Sequence, residues 1–262
     1  MSEEDQPRLF SNRWADAVGP GGDEPARDRC HCLDRRGEHS GKQVGFHPDR
    51  QDTSAPGWLH LLQLIDEAAA DGREVFKPLV ELSPGERRQI VTLPSAIAEL
   101  TAVRHLVLYG SNLVRVPPEI GAMTSLEEFS PYTSYRLHWL PYEITRCAGL
   151  RESTVSTRAL YGNVKYRPPF PLLRRADEWA LAAVEPHRWG AEAIRSCSVC
   201  DGPLEDGRLR QVWISLVVAT DVLPLLVNAC SAECVAALPA PAEGYVTTPH
   251  RGGPDIGRPA RY

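Results

Sequence analysis

The chain has no apolar run approaching the roughly 18 residues that a membrane-spanning helix needs. Its longest apolar stretches, residues 212–219 and 222–229, have the length of strands and are broken by Asp221 and Pro224. The N-terminal MSEEDQPRLF is acidic and lacks the apolar segment of a secretory signal, which points to a cytoplasmic protein. An excess of positive charge is also missing. The net charge is −5 and the pI about 5.9, which argues against a dedicated nucleic-acid binder. Lysine is nearly absent, with only Lys42, Lys77 and Lys165 among 29 basic residues. Together with frequent Ala, Pro and Gly, that bias fits a high-GC bacterial source.

Motifs that announce an enzyme are absent too. There is no G-x-x-x-x-G-K-[ST], no G-x-G-x-x-G after a strand, no G-x-S-x-G, no H-E-x-x-H and no kinase set. His105, His138 and His187 are isolated in sequence, and a surface or packing role is expected for each. Glu127-Glu128 is read as a solvated pair rather than an acid–base pair. Seven cysteines make an odd count, and without a secretion signal they do not describe a disulfide framework.

What is present is a period. Residues 93–155 read as three lines. The first is Leu93-Pro94-x-x-Ile97-x-x-Leu100-x-x-Val103-x-x-Leu106-x-Leu108-x-x-x-Asn112. The second is Val116-Pro117-x-x-Ile120-x-x-Met123-x-x-Leu126-x-x-Phe129-x-Pro131. The third is Leu140-Pro141-x-x-Ile144-x-x-Cys147-x-x-Leu150-x-x-Ser153-x-Val155. The step is 23 residues from Leu93 to Val116 and 24 from Val116 to Leu140. Leu106 and Leu108 are two apart and face one side of a strand. Ile97, Leu100 and Val103 are three apart and lie along one side of a short helical or extended return. Such a unit cannot bury its apolar side alone, and stacked units share a core. The pattern resembles the LPxxI/LxxLxxLxL class of leucine-rich repeats. That resemblance implies an α/β solenoid, short in this chain, with a concave strand face that recognises a protein or peptide.

Three repeats need closing at both ends. Residues 1–56 are polar and aperiodic and read as a tail. Residues 57–160 hold the repeats behind an N-terminal cap, made of an amphipathic helix from Trp58 that stops at Gly72 and a strand around Val75 and Phe76. Residues 161–189 form a proline-rich connector, with a short helix over 176–184 ended by Pro186. A small α+β module spans 190–240, and residues 241–262 read as a second tail.

The module carries Cys197-Ser198-Val199-Cys200 and, after 29 intervening residues, the pair Cys230-Ser231-Ala232-Glu233-Cys234. Two β-rich runs, 211–220 and 222–229, lie between the pairs and read as a hairpin. Ser231 is a good N-cap for a short helix beginning at the second pair. Knuckle, hairpin and helix in that order resemble a treble-clef zinc finger. Four thiolates suit tetrahedral Zn2+, and a site filled by four protein ligands is structural. Cys147 occupies the Leu100 and Met123 position and is expected in the core. Cys30-His31-Cys32, with His39 and His47 nearby, lacks the knuckle spacing, and metal binding there is disfavoured.

The expected function is therefore a non-enzymatic scaffold for a protein or peptide partner. Arg104, His105, Tyr109, Glu128, Tyr132, Tyr135, Trp139 and Glu152 are its expected contact residues, and Cys197, Cys200, Cys230 and Cys234 its zinc ligands. The rival readings are an enzyme or enzyme subunit with a metal-dependent site between repeats and module, and a metal-sensing module. Nucleic acid is a weaker partner, because the helix following Cys234 carries no Arg or Lys.

Overall fold

The computed structural model describes residues 45–163, 169–175, 195–205, 207–253 and 255–256. The cysteine pair at 30 and 32 with His31 and His39, the helix expected over 176–184, and His187 lie outside the described residues.

The chain folds as a mixed α/β protein. Helix α1 (Pro56–Asp71) starts with proline in its first turn, where no N–H is needed. It buries Trp58, Leu61, Leu64, Ile65 and Ala68 along one side. Gly72 ends it in the left-handed conformation, with its N–H donating to the Ala68 carbonyl. Strand β1 (Val75–Phe76) and helices α2 (Pro78–Glu81) and α3 (Pro84–Gln89) follow. Ser83 and Glu86 form a reciprocal capping box at the start of α3.

The periodic stretch then alternates strands with single turns of 3-10 helix. The strands are β2 (His105–Val107), β3 (Glu128–Ser130) and β5 (Glu152–Ser153). The 3-10 turns are Ser95–Glu99, Pro118–Ala122 and Tyr142–Arg146. The apolar spacing of three matches the three residues per turn of this helix. Pro94, Pro117 and Pro141 stand in extended backbone just before each turn. Ile97, Ile120 and Ile144 are buried beneath them. The strands form one parallel sheet in the order β1-β2-β3-β5. Its register aligns His105 with Glu128 and Glu128 with Glu152, so the sequence step of 23 and then 24 residues is also the step across the sheet.

A second sheet holds β4 (Leu140–Pro141), β6 (Arg210–Val218) and β7 (Asp221–Ala229) in the order β4-β7-β6. Strands β6 and β7 are an antiparallel hairpin, with Ala219 at positive φ in the two-residue turn. The hairpin does not stand apart from the repeats. Leu140 and Pro141 pair in parallel with Leu225 and Leu226, and one apolar core runs from α1 through Leu106, Phe129 and Ile144 to Ile214, Leu225 and Val227. At the hairpin tip, the Thr220 hydroxyl donates to the Ser153 carbonyl at 2.7 Å, and the Ser153 hydroxyl donates to the Val218 carbonyl at 3.1 Å. The tip thus covers the β5 edge of the parallel sheet.

Two stretches read from sequence as tail are packed where they are described. Residues 45–51 cross the repeats as a strap. Phe46 stacks on Trp213 at 5.7 Å and meets Trp139 edge-on at 6.0 Å. Asp49 binds Arg136 at 2.6 Å, and its carbonyl accepts from Arg115. The Gln51 side chain accepts from the Val91 N–H and donates to the Gln89 carbonyl. Near the other end, Ala242 donates to Ser215, and His250 exchanges both backbone hydrogen bonds with Trp213. Neither stretch has an apolar period. Each is held by a few side chains that enter a second, aromatic core of Trp139, Tyr161, Phe170 and Trp213.

Candidate metal centre and open sheet face

The thiol cluster is built from three local structures. The first pair sits on a tight turn closed by the Ser196–Pro203 bridge, where the Cys197 N–H donates to the Gly202 carbonyl and the Asp201 N–H to the Cys197 carbonyl. The left-handed residue of this turn is Asp201, at φ +59°. Gly202 serves a different need: a β-carbon there would sit 3.3 Å from the Cys200 sulfur. The second pair opens helix α4 (Ala232–Ala236), where the Ser231 hydroxyl accepts from the Cys234 N–H as N-cap. The hairpin brings the two pairs together. The four Sγ atoms of Cys197, Cys200, Cys230 and Cys234 all lie within 4.8 Å of one another, with 3.6 Å between Cys200 and Cys230 and 3.5 Å between Cys230 and Cys234. This group has the donors and spacing to hold a metal ion.

Backbone dipoles prepare the site for negative sulfur. The N–H groups of Val199 and Cys230 both donate to Cys197 Sγ at 3.4 Å. Burial raises the Cys197 pKa, but the backbone N–H groups of Cys200, Val199 and Cys230 outweigh it and bring it down to about 7. The Cys234 thiol, then the Cys200 thiol, pushes Cys230 up to about 12. Four adjacent thiols cannot all ionise without a cation between them.

The knuckle is fastened to the third repeat. Arg146, at the end of a 3-10 turn, donates to Asp201 Oδ1 at 2.6 Å and to the Ser198 carbonyl at 3.0 Å. The Ser198 N–H donates to the Asn228 carbonyl, and the Ser198 hydroxyl accepts from the Asn228 N–H. Glu143, on the same 3-10 turn, is buried, and desolvation raises its pKa above the usual carboxylate value. None of these partners was visible from sequence, because no motif spacing links residues 143–146 to residues 198–201.

The parallel sheet has one buried side and one open side. Leu106 and Phe129 are buried, while His105, Val107, Glu128 and Ser130 face outward at partial exposure. At the strand entrances, Arg104 pairs with Glu127 at 2.6 Å and with Glu74 at 3.5 Å, and Glu127 also pairs with Arg151. His105 Nδ1 lies 3.4 Å from Glu128 Oε2, and Glu152 is exposed beside Glu128. At the strand exits, the Tyr109 and Tyr132 rings lie 6.0 Å apart and are 53% and 45% exposed. Tyr135 is also exposed. Seven of the eight expected contact residues therefore reach solvent at least in part. Trp139 does not. It is 3% exposed and packs edge-on against Trp213 and Phe46, because the loop after Tyr132 turns inward and its largest apolar side chain completes the aromatic core.

The remaining expected positions fall in the interior. Cys147 is buried, its thiol raised to about 11 by desolvation, and donates to the Ile120 carbonyl at 3.3 Å. His138 is fully buried against His47. Among the described residues no helix is long and apolar enough to cross a membrane. No protein-family model matches the chain, and no curated protein matches it.

Proposed function

We propose that the chain is a non-enzymatic recognition scaffold. In this reading it is a short leucine-rich-repeat array whose open sheet face binds a protein or peptide. Helix α1 and strand β1 act as the N-terminal cap, and a treble-clef-like module with one structural zinc ion closes the other side. The observation that carries the reading is the preserved register His105–Glu128–Glu152, with Tyr109 and Tyr132 paired and exposed at the end of the same strands. The two rings lie against each other and leave about half of their surface in solvent, and tyrosine is enriched at binding hot spots.

Zinc is the metal that the donors favour. Metal–sulfur bonds of about 2.3 Å in tetrahedral array set sulfurs about 3.8 Å apart, close to the 3.5 and 3.6 Å between neighbouring thiols, with all four sulfurs within 4.8 Å of one another. Four protein donors leave no open position for a catalytic water, which weighs against the metal-dependent enzyme.

The test is affinity capture from the native host with the wild-type chain and with Tyr109→Ala/Tyr132→Ala. The expected result is a partner retained by the first and lost by the second, with equal melting temperatures. Equal capture by both would sink the open-face reading. Elemental analysis of the same sample should find one zinc per chain.

A further inference from the structure

Resting on that scaffold reading, we infer that the open face takes a basic partner, an extended peptide segment bearing lysine or arginine side chains. The charges at the strand entrances cancel. Arg104 and Arg151 are both held by Glu127, and Glu74 lies against Arg104. One position further along, the row is Val75, His105, Glu128 and Glu152. Its only basic side chain is His105, whose Nδ1 lies against Glu128. Glu152 makes no ion pair among the described residues. Neighbouring strands are about 4.8 Å apart, so Glu128 and Glu152 set two carboxylates side by side on one face. Like charges in directly opposed positions destabilise a sheet, and a cation laid between them removes that cost.

The far end of the same face makes the same choice of ligand. The parallel ladder continues past the strands, since the Gly110 N–H donates to the Tyr132 carbonyl at 2.8 Å. Tyr109 and Tyr132 therefore stand in the same two columns as His105 and Glu128. Tyrosine ring faces attract lysine and arginine cations. The row of carboxylates and the pair of rings are four positions apart, roughly 13 Å where the backbone stays extended, with Tyr109 and Tyr132 in the turns that follow β2 and β3. That span exceeds a single ion or amine and matches about four residues of extended peptide with a cationic side chain at each end. An acidic segment would meet Glu128 and Glu152, and the neighbouring Arg104 and Arg151 are already paired with Glu127.

The test measures fluorescence anisotropy of labelled octalysine and octaglutamate with the full chain, at low and at high salt. Octalysine should bind at low salt, and octaglutamate should not. Glu128→Gln/Glu152→Gln and Tyr109→Ala/Tyr132→Ala should each weaken octalysine by about tenfold. Asp66→Asn/Glu67→Gln, on the exposed side of α1, should leave it unchanged, which separates the face from the chain's general acidity. Equal octalysine affinity for all variants, or tighter binding of octaglutamate, would overturn the proposal. The scaffold reading is separated by the captured host partner. A partner lost in the tyrosine variant but retained at high salt and by Glu128→Gln/Glu152→Gln sinks the basic-partner inference alone. A partner retained by the tyrosine variant sinks both.

Discussion

The imidazoles of His47 and His138 are stacked, with ring centres 5.0 Å apart and Nε2 atoms 3.1 Å apart. His138 Nδ1 lies 2.7 Å from the Ala159 carbonyl and donates to it, while His47 Nδ1 lies 3.4 Å from Asp49. This contact ties the strap at 45–51 to the loop that leads into the third repeat. Burial, then the proximity of His47, pushes the His138 pKa down to about 3. A pair this close and this buried holds together while His138 is neutral.

Acid should therefore loosen the fold. The folded pKa of His138 lies below its ordinary value of 6.5, so the unfolded chain binds the proton first as pH drops. The stabilisation is complete above about pH 6.5 and is lost progressively as pH falls toward 3. His250, lowered to about 4 by burial, acts in the same direction. Urea unfolding should show stability nearly flat between about pH 7.5 and 6.5, then falling by up to about 1.4 kcal/mol per pH unit for each histidine between about pH 6 and 5. His138→Gln should flatten that slope.

Removing a metal ion held by the four thiols should affect more than the module. At a metal concentration a thousandfold above the dissociation constant, linkage is worth about 4 kcal/mol. A chelator or Cys200→Ser should remove stabilisation of that order, lowering the melting temperature. Because β4 pairs with β7 and Thr220 binds Ser153, amide exchange should also accelerate around residues 140–155. Acceleration confined to residues 195–238 would contradict this coupling.

Stacking of the second and third repeats depends on Gly121. A β-carbon there would lie 2.6 Å from the Glu143 carbonyl, whereas one at Gly149 would lie 3.4 Å from the Leu126 carbonyl. Gly121→Ala should cost about 1–3 kcal/mol through forced backbone displacement. Gly149→Ala should stay within about 0.5 kcal/mol of wild type. Denaturant midpoints compare the two.

Two aromatic residues of the same loop should behave oppositely. Trp139→Ala opens a cavity in the aromatic core and should cost about 3–5 kcal/mol. Tyr135, half exposed, should tolerate alanine within about 0.5 kcal/mol. Thermal unfolding of the two variants separates a core role from a surface role.

Local patterns were legible because they are local. The steps of 23 and 24 residues anticipate the sheet register, and the alternation about Leu106 anticipates which side is buried. Gly72 anticipates the end of α1, and Ser231 the start of α4. The two cysteine pairs with a hairpin between them anticipate a compact thiol cluster. The inward turn of Trp139 was not legible, because its destination is formed by Trp213 and Phe46, far away in sequence.

The amino-acid sequence by itself determined the repeat period, the apolar side of each repeat and the four thiols, since each depends on spacings of a few residues. Only the tertiary structure decided that the hairpin joins β4, that Arg146 holds Asp201, and that His47 closes on His138, 91 residues away. Those contacts depend on which surfaces meet once the apolar sides have been buried. A polar stretch such as residues 45–51 carries no periodic signal of the aromatic core that receives it.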